Sequence, residues 1–140
     1  MIFSVLLLIG GITGLEGSST NESEVMTNCP TNTLNVPDLP NSVSRHVGGL
    51  YLGRVIICGG YSFPERQSNC YKWNLGQSQW TYSTPMNVVR DLAASAVVPD
   101  VGFLVIGGKD GEGNSLKTTE VFNRDGWNFE SDTPGSVYHH

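Results

Sequence analysis

The most chemically suggestive stretch of the chain is the glycine-rich loop at residues 107–114, which carries a lysine and two carboxylates. A phosphate-binding P-loop would end in Gly-Lys-Ser/Thr and lead into a helix, and this loop does neither. A calcium-binding EF-hand loop starting at Asp110 would need glycine and glutamate where this chain has Ser115 and Val121. The sequence therefore predicts a flexible loop between strands, with no cofactor and no metal site; the alternative is weak calcium binding by its two carboxylates.

Histidine chemistry is equally unsupported. The histidines are His46, beside Arg45, and the pair His139-His140 at the end of the sequence. No set of three or four zinc ligands with the usual spacing can be assembled from them. No serine lies in the glycine-flanked elbow of a hydrolase, and His46 has no carboxylate close by in the sequence. We therefore predict no catalytic residue and no enzyme activity within these residues.

The balance of charge narrows the choice of partner. The chain has 8 lysines and arginines against 13 acidic residues, a net charge of -5, and no cluster of basic residues. Nucleic acids and anionic membrane surfaces attract proteins through basic patches. Neither is an expected partner of this chain.

The N-terminal residues predict export. An apolar run at residues 2–12 is followed by small residues, the pattern of a secretory signal peptide, which we place at residues 1–17. A run of about a dozen residues is too short to span a bilayer, so no membrane insertion is expected after signal removal, and an uncleaved anchor is the alternative. Residues 18–39 are polar and predict a flexible lead-in with a glycosylation sequon at Asn21. The expected localisation is secreted and extracellular.

Two stretches of the chain repeat one pattern 48 residues apart. In each, an apolar run rich in β-branched residues ends in a glycine pair, and a lone tryptophan follows an aromatic-bearing segment. A third landmark, proline followed by valine and then by a basic residue or histidine, occurs at three places. The recurring residues are Gly59, Gly60 and Trp80; Gly107, Gly108 and Trp127; and the triplets Pro40-Val43-Arg45, Pro85-Val88-Arg90 and Pro134-Val137-His139. A period near 50 residues indicates one structural unit repeated.

Each unit is predicted to contain four strands. Short apolar runs bounded by glycine, asparagine and proline, without helical periodicity after residue 40, are typical of strands joined by turns. We expect strands at 44–52, 54–58, 69–73 and 80–84 in the first unit, and at 92–98, 102–106, 118–122 and 127–131 in the second. Four antiparallel strands at this period form one blade of a β-propeller. The predicted fold class is therefore all-β.

Export and the strand pattern together bear on the cysteines. Cys58 ends one predicted strand and Cys70 begins the next antiparallel one, so the two can face each other and form a disulfide in an oxidising compartment. The alternative is a pair of buried free thiols. Cys29 is then left over, which points to a missing or intermolecular partner.

Over roughly residues 40–140, these landmarks resemble the kelch repeat family. That family has a hydrophobic strand ending in a glycine doublet, then an aromatic residue, a tryptophan, and a proline and arginine that open the next blade. Trp73 and Phe122 stand where the family usually has tyrosine. The resemblance implies a partial kelch-type β-propeller with four-stranded antiparallel blades.

Within such a propeller the recurring residues have expected roles. The glycine pairs would end strands in tight bends, and Trp80 and Trp127 would be wedges between blades. If Arg45, Arg90 and His139 open the innermost strands, they would ring one end of the central channel, where propellers usually bind ligands. The alternative is that these three side chains hydrogen-bond to loops of adjacent blades.

The resemblance also divides the chain. It places blade 1 at residues 40–84, blade 2 at 85–133 and the start of a truncated blade 3 at 134–140. Because a propeller closes with roughly four to eight blades, we expect a fragment of a larger propeller, whose missing blades are partners and hold the partner of Cys29. The alternative is assembly from several chains.

The expected function is that of a secreted binding module. Loops on a rigid repeat scaffold are where recognition concentrates, so residues 61–69 and 109–117 are the predicted contact loops for a protein partner of unknown identity. The alternative is the N-terminal fragment of a propeller enzyme, galactose-oxidase-like or sugar-active, whose catalytic residues lie beyond residue 140. Copper oxidases of the galactose oxidase type draw their site from several blades, which two blades cannot supply.

Overall fold

The computed structural model describes residues 5–13, 18–27, 36–74 and 76–130, with side chains from residue 36 onward. Two strands precede the predicted blades: β1 (Val5–Thr13) and β2 (Ser18–Thr27), paired antiparallel as a hairpin. The sequence predicts a flexible segment at residues 18–27, whereas the structure has a strand there. The backbone groups of the apolar run in β1 need hydrogen-bond partners, and pairing with β2 supplies them. The signal peptide itself stays a prediction.

The first predicted blade is a four-stranded antiparallel sheet. Its strands are β3 (Val47–Tyr51), β4 (Arg54–Cys58), β7 (Cys70–Trp73) and β8 (Thr81–Ser83), in the order β3-β4-β7-β8. A small hairpin, β5 (Tyr61–Ser62) and β6 (Glu65–Arg66), lies in the connection between β4 and β7. The sequence pattern predicted the four sheet strands but not this hairpin.

The second predicted blade repeats the arrangement. Its strands are β9 (Ala94–Val98), β10 (Gly102–Ile106), β11 (Thr119–Asn123) and β12 (Gly126–Phe129), again a meander in chain order. In the described ranges no helix is long and apolar enough to cross a membrane. Residues 134–140, with His139, lie outside the described residues, as does Cys29.

The two sheets pack face to face through alternating side chains. Val47 and Tyr51 of β3 point toward the second sheet, and a side chain at Gly49 would meet Val97 and Phe103. The shared core contains Val47, Ile56, Cys58, Cys70, Met86, Phe103, Val105 and Trp127. Burial of this apolar area, at about 25 cal/mol per Å², is the main force that holds the sheets together.

The opposite face of the first sheet has a core of its own. Ile57, Tyr71, Trp73 and Trp80 pack there against Leu39 and Val43 of the segment that enters the sheet. Leu50, on the same side of β3, stays 64 % exposed. An exposed apolar side chain on the inner strand leaves room for a neighbouring sheet on this side.

Each blade tryptophan closes its sheet against the entering chain. The Nε1–H of Trp80 donates to the carbonyl of Pro37 at 2.7 Å, and that of Trp127 donates to the carbonyl of Thr84 at 2.8 Å. Both acceptors lie 43 residues before their tryptophan. The indoles thus combine burial with a specific hydrogen bond in both repeats.

Truncating Trp127 should remove much of the packing between the sheets. We expect Trp127→Ala to lower the free energy of unfolding by about 3–5 kcal/mol, since a large buried aromatic is lost. The matched control is Phe129→Ala on the same strand, an exposed aromatic whose loss should change stability by less than about 0.5 kcal/mol. Chemical denaturation of the full chain measures both values. Equal effects of the two substitutions would contradict this role for Trp127.

Candidate functional site

The glycine doublets bring two loops to one end of the sheets. Gly60 has φ of 93° and Gly108 has φ of 91°, a conformation that residues with a Cβ rarely adopt. A Cβ on Gly60 would also lie 2.5 Å from the carbonyl oxygen of Ser44, and one on Gly108 would lie 2.6 Å from that of Asp91. The glycines therefore let each loop start directly against the segment that enters its own blade.

Backbone bridges fix both loops to these entering segments. Ser44 pairs with Tyr61 at the base of the β5–β6 hairpin, and Asp91 pairs with Lys109 at the start of the following loop. We call the outer side of this end, formed by Arg45, residues 61–66 and residues 109–115, the loop surface. It contains the first parts of the two loops predicted for recognition.

A buried carboxylate organises the loop surface. The Asp91 side chain has no solvent exposure, and its Oδ1 accepts a hydrogen bond from Nε of Arg66 at 2.9 Å. Its Oδ2 lies 3.2 Å from Nη2 of Arg45, an ion pair without hydrogen-bond geometry. The arginine side chains are 33 % and 24 % exposed, respectively for Arg45 and Arg66. Two cations from blade 1 thus compensate one buried charge from blade 2, as burial of a carboxylate requires.

An aromatic ring also positions Arg45. The guanidinium carbon lies 4.9 Å from the centre of the Tyr61 ring, a cation–π contact. Arg45 itself has φ of 57°, an uncommon conformation that directs its side chain back over the hairpin. The partly exposed guanidinium therefore sits between a ring and a carboxylate.

The loop after Gly108 is held by its own polar groups. The Asp110 carboxylate accepts hydrogen bonds from the backbone N–H of Asn114 at 2.8 Å and of Glu112 at 2.9 Å. Bonding to Asn114, foremost among the causes, holds the pKa of Asp110 below its ordinary value. A Cβ on Gly113 would lie 3.8 Å from Nη2 of Arg66, so the loop runs beside that arginine.

One large apolar side chain projects from the loop surface. Phe63, in the turn of the β5–β6 hairpin, is 84 % exposed. Exposed aromatics of this kind are costly in solution and are enriched at protein interfaces. The hairpin that contributes Arg66 thus also carries an unshielded ring in its turn.

The residues predicted to line the channel do not share one location. Arg45 lies at the loop surface and His139 lies outside the described residues. Arg90, in contrast, is buried at 1 % exposure and does not face a channel. Its guanidinium pairs with Glu120 at 3.1 Å and donates to the carbonyls of Gly107 and Thr118, both at 2.8 Å. This corrects the channel assignment of Arg90. Its alternative, bonding to loops of adjacent blades, is not met either, because both carbonyls belong to blade 2, the blade of Arg90 itself.

The structure also corrects the alignment of the third sequence landmark. Arg45 and Leu92 share the left-handed conformation, with φ of 57° and 53°, and each follows a residue bridged to its loop. Arg90 therefore corresponds to Val43 in blade 1, and Arg45 corresponds to Leu92. The proline-valine-arginine spacing coincided in sequence while lying two residues out of structural register.

Blade 1 has neutral side chains at the positions that correspond to Arg90 and Glu120. Strand register makes Tyr71 the counterpart of Glu120, because Tyr71 pairs with Ile57 as Glu120 pairs with Val105. Nδ2 of Asn41 donates to the Tyr71 hydroxyl at 3.2 Å. Burial raises the pKa of Tyr71. A valine and a tyrosine thus stand where blade 2 has a buried ion pair.

The predicted cysteine pair lies at the end of the same strands. Cys58 and Cys70 are directly opposed in the β4–β7 ladder and are joined by a disulfide, with Cα atoms 4.2 Å apart. The corresponding rung of blade 2 holds Ile106 and Thr119. A covalent link therefore closes blade 1 at the position where blade 2 relies on packing and on Arg90 nearby.

The family model of the kelch motif matches residues 43–87. The chain contains a kelch repeat. The matched kelch segment runs from the entry of blade 1 to the start of blade 2, so it includes both Gly59-Gly60 and Trp80. No curated protein sequence matches the chain.

Solved structures extend the likeness to the whole fold. A structure described as "Structure of YjhT" superposes with a TM-score of 0.76 at 16 % sequence identity. The match covers 96 % of this chain and 51 % of that one, so this chain spans about half the length of the solved protein. At this identity the likeness shows the fold alone: a partial kelch-type β-propeller with four-stranded antiparallel blades.

Two residues of the loop surface, Phe63 and Arg66, and the buried Asp91 that contacts it were not predicted from the sequence. Each occurs in one repeat and not in the other, so no period marks them. The available signal was local: the short Tyr-Ser-Phe-Pro-Glu-Arg run after the glycine doublet has strand-forming residues around a proline turn. Such a run is typical of a hairpin.

The Arg90–Glu120 pair of blade 2 should be replaceable by the Val43–Tyr71 pair of blade 1 as a whole, but not one residue at a time. We expect Arg90→Val and Glu120→Tyr each to lower the free energy of unfolding by about 3–5 kcal/mol, because each leaves a buried partner unsatisfied. The double variant reproduces the Val43 and Tyr71 pair of blade 1, so its loss should be smaller than the sum by about 1–3 kcal/mol. Denaturant titration of the four proteins tests this. Strictly additive losses would refute the equivalence.

Removing the disulfide should destabilise the kelch blades. The bridge closes a loop with a sequence separation of 12, and the chain-entropy estimate for such a loop is about 3 kcal/mol. We expect the Cys58→Ala/Cys70→Ala variant to lose about that amount. Reductant should bring the parent to the stability of the variant and leave the variant unchanged. If reductant leaves the free energy of unfolding of the parent protein unchanged, the bridge is absent.

Proposed function

We propose that this chain is a binding module of a kelch propeller and that a protein partner docks on the loop surface. The observation that carries the proposal is Phe63, 84 % exposed in the turn of a hairpin beside the arginine cluster. Aromatic and arginine side chains dominate the binding energy of protein interfaces. The loop surface supplies both types side by side.

The hairpin is built to hold Phe63 in place. Its base is fixed by the N–H of Tyr61 donating to Ser44 at 2.8 Å and the N–H of Ser44 donating to Tyr61 at 3.0 Å. The N–H of Gln67 closes the other side by donating to the carbonyl of Gly60 at 2.9 Å. A preorganised loop loses little entropy when a partner binds, which favours affinity.

Binding, rather than catalysis, is the proposed role of these residues. Asp91 is engaged by two arginines, and Asp110 by backbone N–H groups. A general base or nucleophile must present its lone pair to a substrate. These two carboxylates are committed to structure instead, which supports a recognition role for the loop surface.

We further propose that the protein acts outside the cell. The apolar run at residues 2–12 and the sequon at Asn21 favour export. The disulfide between Cys58 and Cys70 supports the same compartment, because such bonds persist where the environment is oxidising. Further blades of the same propeller would complete the scaffold on which the loop surface stands.

A photo-crosslinking amino acid at position 63 tests the proposed docking. In the secreted protein we expect it to capture a partner, whereas the same group at exposed position 129 should not. Phe63→Ala should weaken binding of the captured partner about tenfold or more, the effect of losing an interface anchor. The Phe129→Ala protein is the matched control and should bind like the parent. Equal capture at both positions, or unchanged binding by Phe63→Ala, would refute the proposal.

A further inference from the structure

We propose that Arg45 and Arg66 together form a binding site for a side-chain carboxylate on an acidic segment of the partner. The inference rests on the proposed protein-binding function and adds the chemistry of the partner. Arginine is the side chain best suited to recognise carboxylates, because its planar fork can donate two parallel hydrogen bonds.

Both guanidinium groups keep hydrogen-bond donors to spare. Arg66 uses Nε for Asp91, and no described residue accepts a hydrogen bond from its Nη1 or Nη2. Arg45 faces Asp91 only through the ion pair at Nη2, and within residues 36–74 and 76–130 its side chain donates no hydrogen bond. The two side chains are 33 % and 24 % exposed, so both arginines are partly accessible to a ligand.

The hairpin places the two arginines on one side. Tyr61 and Arg66 are directly opposed partners in the β5–β6 pair, so their side chains leave the same face of the hairpin. Arg45 lies over the ring of Tyr61, on that same face. Asp91 then contacts both guanidinium groups and holds them together. The pair is therefore oriented before any ligand arrives, which reduces the cost of binding.

Local charge favours a carboxylate over a phosphate. Arg45, Arg66 and the Asp91 carboxylate that contacts both together carry one net positive charge. A single carboxylate neutralises that charge, whereas a dianionic phosphate would leave an excess negative charge. Phe63 is exposed in the turn of the same hairpin as Arg66, which favours a carboxylate on a peptide segment that also offers an apolar cleft.

The test uses an acetylated, amidated Gly-Gly-Glu-Gly-Gly peptide, which carries a single carboxylate, as the probe on the full chain. We expect it to shift the Nε–Hε NMR signals of Arg45 and Arg66 in a saturable way, and to leave those of Arg54 and Arg124 unchanged. Arg45→Gln should weaken binding about tenfold, the loss of a charge-assisted contact. Arg66→Lys keeps a cation beside Asp91 but loses the fork, and it should bind several-fold more weakly. The matched control Arg54→Gln should bind like the parent.

Two results would overturn the inference: peptide-induced shifts at all arginines alike, or binding of inorganic phosphate as tight as that of the peptide. Thermal unfolding of each variant checks that the fold is kept. Peptide binding at the arginines without partner capture at position 63 would refute the proposed function and spare the site, and the reverse result would refute the site alone.

Discussion

The architecture depends on a steric constraint at the ends of β4 and β10, where no Cβ atom fits between the strand end and the incoming chain. Gly60 lies against the carbonyl of Ser44, and Gly108 against that of Asp91. This close approach allows the backbone bridges that tie each loop to its own entry segment. Because those bridges set the positions of Tyr61 and Asp91, they also set the positions of the arginines that both residues contact.

The two blades fill the same space in their structure with different chemistry. In blade 2 the space holds a buried ion pair with every guanidinium nitrogen engaged, and in blade 1 it holds valine, tyrosine and a nearby disulfide. A buried charge pair stabilises only when all its hydrogen bonds are satisfied, a condition that Gly107 and Thr118 help to meet. Neutral replacements avoid the desolvation cost but need new shape complementarity.

The two blades could be predicted from the sequence because their landmarks recur periodically. Strand limits, the glycine doublets and the two tryptophans follow from alternation and from a repeat near 50 residues, and the structure has each sheet strand within about three residues of its expected bounds. The loop surface could not be found this way, because Phe63 and Arg66 have no counterpart in the second repeat. The role of Arg90 was missed for another reason. The proline-valine-arginine spacing aligns Arg90 with the partly exposed Arg45, whereas the structure aligns it with the buried Val43, two residues earlier.

The location of Asp91 in blade 2 affects how such proteins can diversify by recombination. This carboxylate belongs to blade 2, yet both arginines that it orients belong to blade 1. A recombination event that cuts at the boundary between the two repeats would separate the arginines from the group that holds them. The smallest piece that can be inherited or transplanted with its recognition chemistry intact is therefore longer than one repeat: a blade together with the first residues of its successor.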